Sequence, residues 1–448
     1  MKHVCIITYS FLPLNFVATW RQYYRAKYLV QNGYHVTIIT RHWQEGDQYR
    51  SPSSTKSAEI IKEEFWDGVD VIRIPAGSSH LRRQLSLWKR TILSNALAPG
   101  RMLSTLYRQL AYFLLPMDYH LRLVYSRHQI RQVINKRPDV VIASGDPWHI
   151  FEVGNDLAEA FNCKLICEYR DPWNYRDERF RVEGFNSFNA NPLSQLKRWI
   201  SIKREQRLTK NADAIVSVSV PWTQNASTIT GIQKAFTITN GFEPEEFEEV
   251  EADREEVFTI TYIGNLHAPP QQNITPFIHG LTKFLGQDTF RLLNTKVQFV
   301  GTADSYNFSK TQFYLEQCPY YDDVFELTGK VDKPTSIQIQ KSSHVLLFVA
   351  HEKLVGQYPA KIFEYLAAGT PIMLAPDDHD VCSELIKMTA TGRACNTKEE
   401  VAAYLEELYT AWSERGRVPY TPVREQVEKY KYKEQNKKLI RILENELE

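Results

Sequence analysis

The 448-residue chain has no surplus charge of either sign: 54 lysines and arginines against 53 acids leave a net charge of +1. A chain so balanced has no global attraction for nucleic acid. It also has no apolar run approaching the length needed to span a bilayer. The opening MKHVCIITYSF carries only a short apolar run and no small-residue cleavage site, so it reads as a first strand and not as a signal peptide. Cysteine is sparse: Cys5, Cys163, Cys167, Cys318, Cys382 and Cys395 are mostly scattered, several of them in apolar runs, as expected of buried thiols in a reducing compartment. Cys163 and Cys167 lie in CKLIC, which reads as a strand with no second ligand pair nearby, so no metal site is expected. The segment after the first strand, YSFLPLNFVATWRQYY, lacks a G-x-G-x-x-G pattern, which argues against a nicotinamide or flavin cofactor there. These absences leave a cytoplasmic protein with no cofactor.

What is present is a recurring strand and helix rhythm. HVCIITYS, HVTIITR, VDVIRIP, DVVIASG, KLICEYR and DAIVSVS are short, rich in Val and Ile, and barely alternate, as strands buried on both faces of a parallel sheet do. Helical pieces separate them, the first ending at Asn32-Gly33. The rhythm stops in AFTITNGFEPEEFEEVEADREEV and restarts with FTITYIG, KVQFVGT, VFELTGK, HVLLFVA, PIMLA and GRACNT. At this length two hydrophobic cores are expected. The reading is therefore α/β with two tandem Rossmann-like domains facing across a cleft: residues 1–240, residues 241–420, and a charged C-terminal helix over 421–448 that lies on the surface or packs back on the first domain.

One stretch departs from this rhythm. From Leu81 to Arg137 there are eleven lysines and arginines and one acid, Asp118, interleaved with Leu, Trp88, Tyr107, Tyr112 and Phe113. A helical excursion of this composition suits peripheral contact with an anionic membrane; the alternative is a helix packed on its own domain with arginines reaching over it. No nucleic-acid motif accompanies the charge.

Polar residues gather at the ends of predicted strands, where open parallel sheets bind ligands. In the first domain these are Asn15, Thr19 and Arg21 after the first strand, Asp146 and His149 in GDPWH, and Arg170 and Asp171 in YRDPW. Arg21 reads equally as an ordinary surface helix residue. In the second domain Gly264-Asn265 ends the first strand, and a glycine there lets the backbone approach a phosphate or base. The stretch YPAKIFEYLAAGTPIM reads as a helix from Pro359 to Ala368, stopped by Gly369 and followed by a strand. Lys361 then sits at the positive end of the helix, where a cation is unfavourable, and no side chain caps the first amides. Either an anion completes this terminus, with Glu364 on the same face, or Lys361 and Glu364 form a solvated pair.

The motifs GYHVTIITRHW, YRDPWNY, ITNGFEPEEF, YIGNLHAPPQ and above all PAKIFEYLAAGTPIM resemble those of family 4 glycosyltransferases of the GT-B fold, in particular bacterial cell-surface polysaccharide enzymes, and the likeness runs over nearly the whole chain. The resemblance implies a retaining, metal-independent hexosyltransferase. It would move a sugar from a nucleotide donor, UDP-linked by the pattern, to a hydroxyl of a glycan or lipid-linked acceptor at the inner face of the cytoplasmic membrane. It implies that Glu364 holds the ribose hydroxyls, Lys361 neutralises the diphosphate and Gly264-Asn265 lies against the nucleotide. The acceptor would enter beside Asn15, Thr19, Arg21 and Arg170, with Asp146, His149 and Asp171 as candidates for orienting or deprotonating its hydroxyl. The chain departs from the family pattern in two places. Gly356 stands where many members carry the first of two glutamates, eight positions before Glu364, and HAPPQQN has neither of the usual cations. Two other readings stand beside this one: an epimerase of the same fold acting on a UDP-sugar, and a non-catalytic relative that keeps the fold for binding, which these two departures recommend.

Overall fold

The protein is described by a computed structural model, and the described residues are 2–45, 47, 60–66, 68–75, 127–134, 136–175, 192–267, 269, 271–305, 308–352 and 354–447. They form two compact units: one runs as far as Ile238 and takes in the chain again from Asn436, and the other spans Thr239–Gln435. Of the basic and apolar stretch 81–137, residues 81–126 and 135 lie outside the described residues.

The first unit holds an eight-stranded sheet of β1 (His3–Thr8), β2 (His35–Arg41), β3 (Ile61–Trp66), β4 (Val69–Ile74), β5 (Val140–Gly145), β6 (Lys164–Tyr169), β7 (Ala214–Ser217) and β8 (Ala235–Thr237). Its order is β3-β4-β2-β1-β5-β6-β7-β8. Every neighbouring pair is parallel except β3 with β4, which form an antiparallel pair with a register shift between Glu64 and Trp66. The strand pattern found in the sequence is explained by burial on both faces: along β1, Val4 and Ile6 enter one core while Cys5 and Ile7 enter the other. The helix Val17–Gln31 follows β1 and ends as its sequence indicates, with Gly33 at φ +80 donating its amide to the Val30 carbonyl.

The second unit holds a six-stranded, wholly parallel sheet of β9 (Phe258–Ile263), β10 (Thr295–Val300), β11 (Phe325–Thr328), β12 (Val345–Phe348), β13 (Ile372–Leu374) and β14 (Gly392–Ala394). Its order is β11-β10-β9-β12-β13-β14. Chain order reverses between β9 and β12, and the carboxyl ends of those two strands are where a sheet of this kind offers room for a ligand.

The charged C-terminal segment is not one helix. Arg424–Glu428 and Tyr432–Arg441 are separated by a turn, and a π-helical turn, Ile442–Glu446, follows. The break is where Phe242 pairs with this segment: its amide donates to the Tyr430 carbonyl and its carbonyl accepts from the Tyr432 amide. Beyond it Leu439, Ile440, Ile442, Leu443 and Leu447 pack with Val4, Ile6, Val36 and Ile38 in the core of the first unit. Among the described residues no helix is long and apolar enough to cross a membrane.

Candidate functional site

The site in the second unit is built at the reversal between β9 and β12. β9 ends in Gly264, whose φ of +99 is open to glycine and strained for other residues. Gly264 donates its amide to the Val300 carbonyl at 2.7 Å and accepts from the Thr302 hydroxyl at 3.1 Å, so the loops after β9 and β10 are tied together. A Cβ at Gly264 would sit 3.4 Å from Lys361 Nζ, so the absent side chain leaves the lysine and the backbone side by side.

Lys361 opens the helix Lys361–Ala367. Expected from Pro359, this helix is preceded by tighter turns in which Ile362 donates to the Pro359 carbonyl and Phe363 to that of Ala360, each at 3.1 Å. No side chain caps the helix. The helix is fixed to β9 by two residues four apart on one face. Tyr365 accepts the Ile263 amide at 2.9 Å, and Lys361 Nζ donates to the Tyr262 hydroxyl at 2.7 Å while lying 4.1 Å from the centre of that ring. Tyr262 in turn donates to the Asn265 carbonyl at 2.9 Å. Lys361 is thus held against Gly264-Asn265 by a phenol.

Its charge is only half secured. Burial lowers the ammonium to about 7, with the Glu364 carboxylate opposing the shift. His351, just beyond β12, is lowered to about 4 by burial, by His267 and by Lys361, so it is neutral at pH 7 and adds no charge. The rings of His267 and His351 lie 5.4 Å apart. Burial raises the Glu364 carboxyl; Lys333 and Lys361 oppose that rise and Glu246 adds to it. Lys333 is ion-paired with Glu246. Tyr262, Lys333 and Glu246 escaped the sequence reading, and for Tyr262 a signal existed: it is an aromatic residue two positions before Gly264 on a buried strand. At Gly356, where the family resemblance leads one to look for a glutamate, φ is +80 and the backbone amide donates to the Asp380 carboxylate.

In the first unit the candidates divide. Asp146 is ion-paired with Arg170, which also donates to the Gly145 and Asp146 carbonyls at 3.4 Å. Asp171 is exposed, yet desolvation by the surrounding protein and, after it, the Asp146 charge push its carboxyl up to about 6, with Arg170 opposing. Trp148 and Trp173, one from each Asp-Pro-Trp loop, stack with their planes 2° apart at 5.3 Å. A Cβ at Gly145 would meet the Trp148 ring at 2.8 Å, so glycine is required beneath it. Asp146, Arg170 and Asp171 therefore share one place, while His149 is buried in the first turn of the helix His149–Phe161.

The residues after β1 do not form an open polar loop. Asn15 accepts from Trp20 Nε1 at 3.2 Å, and Thr19 is fully buried. Arg21 is neither a surface residue nor turned to solvent: it is 4 % exposed, donates to Glu168 Oε1 at 2.8 Å and to the Ile238 carbonyl at 2.8 Å. Arg25 binds the same carboxylate, and Gln22 donates to it at 3.0 Å and to Ser144 at 2.9 Å. The cause is Glu168, an acid within the apolar strand KLICEY that is fully buried and must be surrounded by donors.

No family model matches the chain, and no curated protein matches it. Solved structures do. Sucrose-phosphate synthase from Thermosynechococcus elongatus superposes with a TM-score of 0.57 at 15% identity, covering 99% of this chain and 98% of that one. Trehalose-6-phosphate from E. coli bound with UDP-2-fluoro glucose, as that structure is described, gives 0.60 at 11%, with 99% of each chain covered. Anabaena HepE in complex with UDP gives 0.57 at 12%, covering 99% of this chain and 100% of that one. The chain has the GT-B fold of these glycosyltransferases.

Proposed function

We propose that the protein is a retaining, metal-independent glycosyltransferase that moves a hexose from a UDP-linked donor to a hydroxyl of a glycan or lipid-linked acceptor in cell-surface polysaccharide synthesis. The observation that carries this reading is Lys361, held against Gly264 by Tyr262, with its ammonium lowered to about 7 by burial that the nearby Glu364 carboxylate only partly offsets. A nucleoside diphosphate leaves well only when its developing charge is met, and a preorganised ammonium does this without reorganisation. Glu364, one helical turn on, accepts from the ribose hydroxyls, and Gly264-Asn265 lies along the nucleotide. That Anabaena HepE was crystallised with UDP, and the E. coli structure with UDP-2-fluoro glucose, supports a UDP donor. In the first unit Asp146 and Asp171 receive the acceptor hydroxyl, with Arg170 fixing Asp146 and a carboxyl near 6 at Asp171 suited to taking a proton. The protein acts at the inner face of the cytoplasmic membrane, with the basic stretch 81–137 as a peripheral contact.

The test is a screen of sugar nucleotides with membrane extract as acceptor, following donor consumption and product stereochemistry. Acceptor-dependent consumption of one UDP-sugar is expected. Conversion of a UDP-sugar without acceptor would instead mark an epimerase, and UDP binding without any turnover would mark a non-catalytic relative. Gly356, with no carboxylate side chain, is the observation that favours the latter.

A further inference from the structure

The helix Pro192–Thr209, between β6 and β7, buries Leu208 in the core but carries three other apolar residues on its exposed side. Leu196 is 48 % exposed, Trp199 58 % and Ile200 36 %. At 3.6 residues per turn these three fall with Lys203 and Arg207 in an arc of about 100°, a stripe about 17 Å long. Its first half is apolar and its second half cationic. Lys203 and Arg207 are exposed, as is Lys210 just beyond the helix. None of these three is in an ion pair among the described residues.

The stripe faces no negative charge of its own helix. Residues 192–210 contain six cations, Lys197, Arg198, Lys203, Arg204, Arg207 and Lys210, and one acid, Glu205. Glu205 lies on the opposite side, 1 % exposed, accepting from Asn174 Nδ2 at 2.7 Å. Burial pushes its carboxyl up to about 8, so it is neutral at pH 7. A helix face that is apolar, includes an indole and carries cations as its own charges is complementary to an interface that is itself apolar beneath and anionic above. We propose that the helix Pro192–Thr209 is a docking surface for an anionic lipid bilayer, Leu196, Trp199 and Ile200 entering the headgroup and acyl boundary and Lys203, Arg207 and Lys210 resting on lipid phosphates. No residue of this surface belongs to the candidate donor site, so the inference stands whether or not the transferase reading does, and none of its residues falls within 81–137.

The test uses the full chain with phosphatidylcholine vesicles, with and without about a third phosphatidylglycerol, read by co-sedimentation. The wild type is expected to partition onto the anionic vesicles, weakly onto the neutral ones, and less as salt rises. With cations near an anionic surface contributing about fivefold each, Lys203→Glu with Arg207→Glu lowers the partition coefficient by at least roughly thirty-fold. Leu196→Glu with Trp199→Glu lowers it comparably, because the apolar part of the stripe is lost. All four changes are at exposed positions, and circular dichroism and UDP calorimetry stay at wild-type values. The inference is overturned if the wild type does not bind anionic vesicles, if both double variants bind as the wild type does, or if Leu196→Glu with Trp199→Glu dissolves a dimer, which would assign the stripe to a second copy of the chain.

Discussion

Two charge clusters, one fully buried in the first unit and one half-buried in the second, differ in whether their charge is matched. In the first unit Glu168 receives Arg21, Arg25 and Gln22; burial alone would raise its carboxyl, but Arg25 and Arg21 outweigh that and hold it well below the usual carboxylate range. In the second, Lys361 has a phenol and a half-buried carboxyl, and its ammonium drops to about 7. A charge whose partners are all present is a structural device, and a charge whose partners fall short is a place prepared for a ligand. Both clusters draw cations from helices that follow a strand, Arg21 and Arg25 from Val17–Gln31 and Lys361 from Lys361–Ala367, so the kind of element does not tell them apart. The balance of charge does.

The sharpest break of this contrast is Glu168→Gln, which leaves two buried guanidinium groups facing a neutral amide. A loss of about 3–5 kcal/mol in urea unfolding is expected, with UDP affinity of the folded fraction unchanged. Because the Glu168 carboxyl is depressed in the folded protein, its contribution is fully present above the ordinary carboxylate value and is lost only as pH falls through the depressed folded one. A midpoint that moved UDP binding as much as stability would erase the distinction between the clusters.

Lys361→Ala should do the reverse. Removing a charge-assisted contact to the diphosphate lowers UDP affinity by about 2–3 kcal/mol in calorimetry, while the unfolding midpoint holds or rises, since a half-desolvated ammonium is also removed. Next in size is a pH effect. The free protein titrates at about 7 and a bound diphosphate raises that value, so binding takes up a proton above about 7 and UDP affinity falls roughly tenfold per pH unit until the bound-state value is reached. Calorimetry in buffers of different ionisation heat measures the uptake, and Lys361→Arg, charged throughout, flattens the slope. Smallest is Glu364→Gln, about 1 kcal/mol against UDP and less against 2′-deoxy-UDP, which keeps only one of the two ribose hydroxyls; equal losses for the two nucleotides would remove Glu364 from the 2′-hydroxyl.

The parallel strands were legible because residues buried on both faces need no alternation, and the twelve runs read as strands coincide with β1, β2, β4 to β7 and β9 to β14. β3 was hidden: IKEEFW is an edge strand whose Lys62 and Glu63 pair with Asp70 and Arg73 of β4, and such charges mask the apolar pattern that marks a central strand. β8, only three residues long, carries no period at all. At the candidate site of the second unit the lysine and the glutamate could be read from helix rules and the glycine from its place at a strand end, because each anomaly is local. Tyr262 had a local signal that was not used, and Lys333 had none, since what matters about it is which distant residue it meets. Arg21 shows the opposite error: polar residues after a strand suggest a ligand loop, and only the buried Glu168, 147 positions away, shows where that arginine is used.

The packing of Leu439, Ile440, Ile442, Leu443 and Leu447 into the core shared with β1 and β2 has a consequence in time. During synthesis the strands of the first unit are complete once Ile238 is made, but the residues that close one face of their sheet follow only after Thr239–Gln435. At ~5–20 residues per second that interval is roughly 10–40 s, long enough for the second unit to fold first. The half of the protein made first is the half finished last, and until then the core around Val4, Ile6, Val36 and Ile38 lacks its last apolar segment.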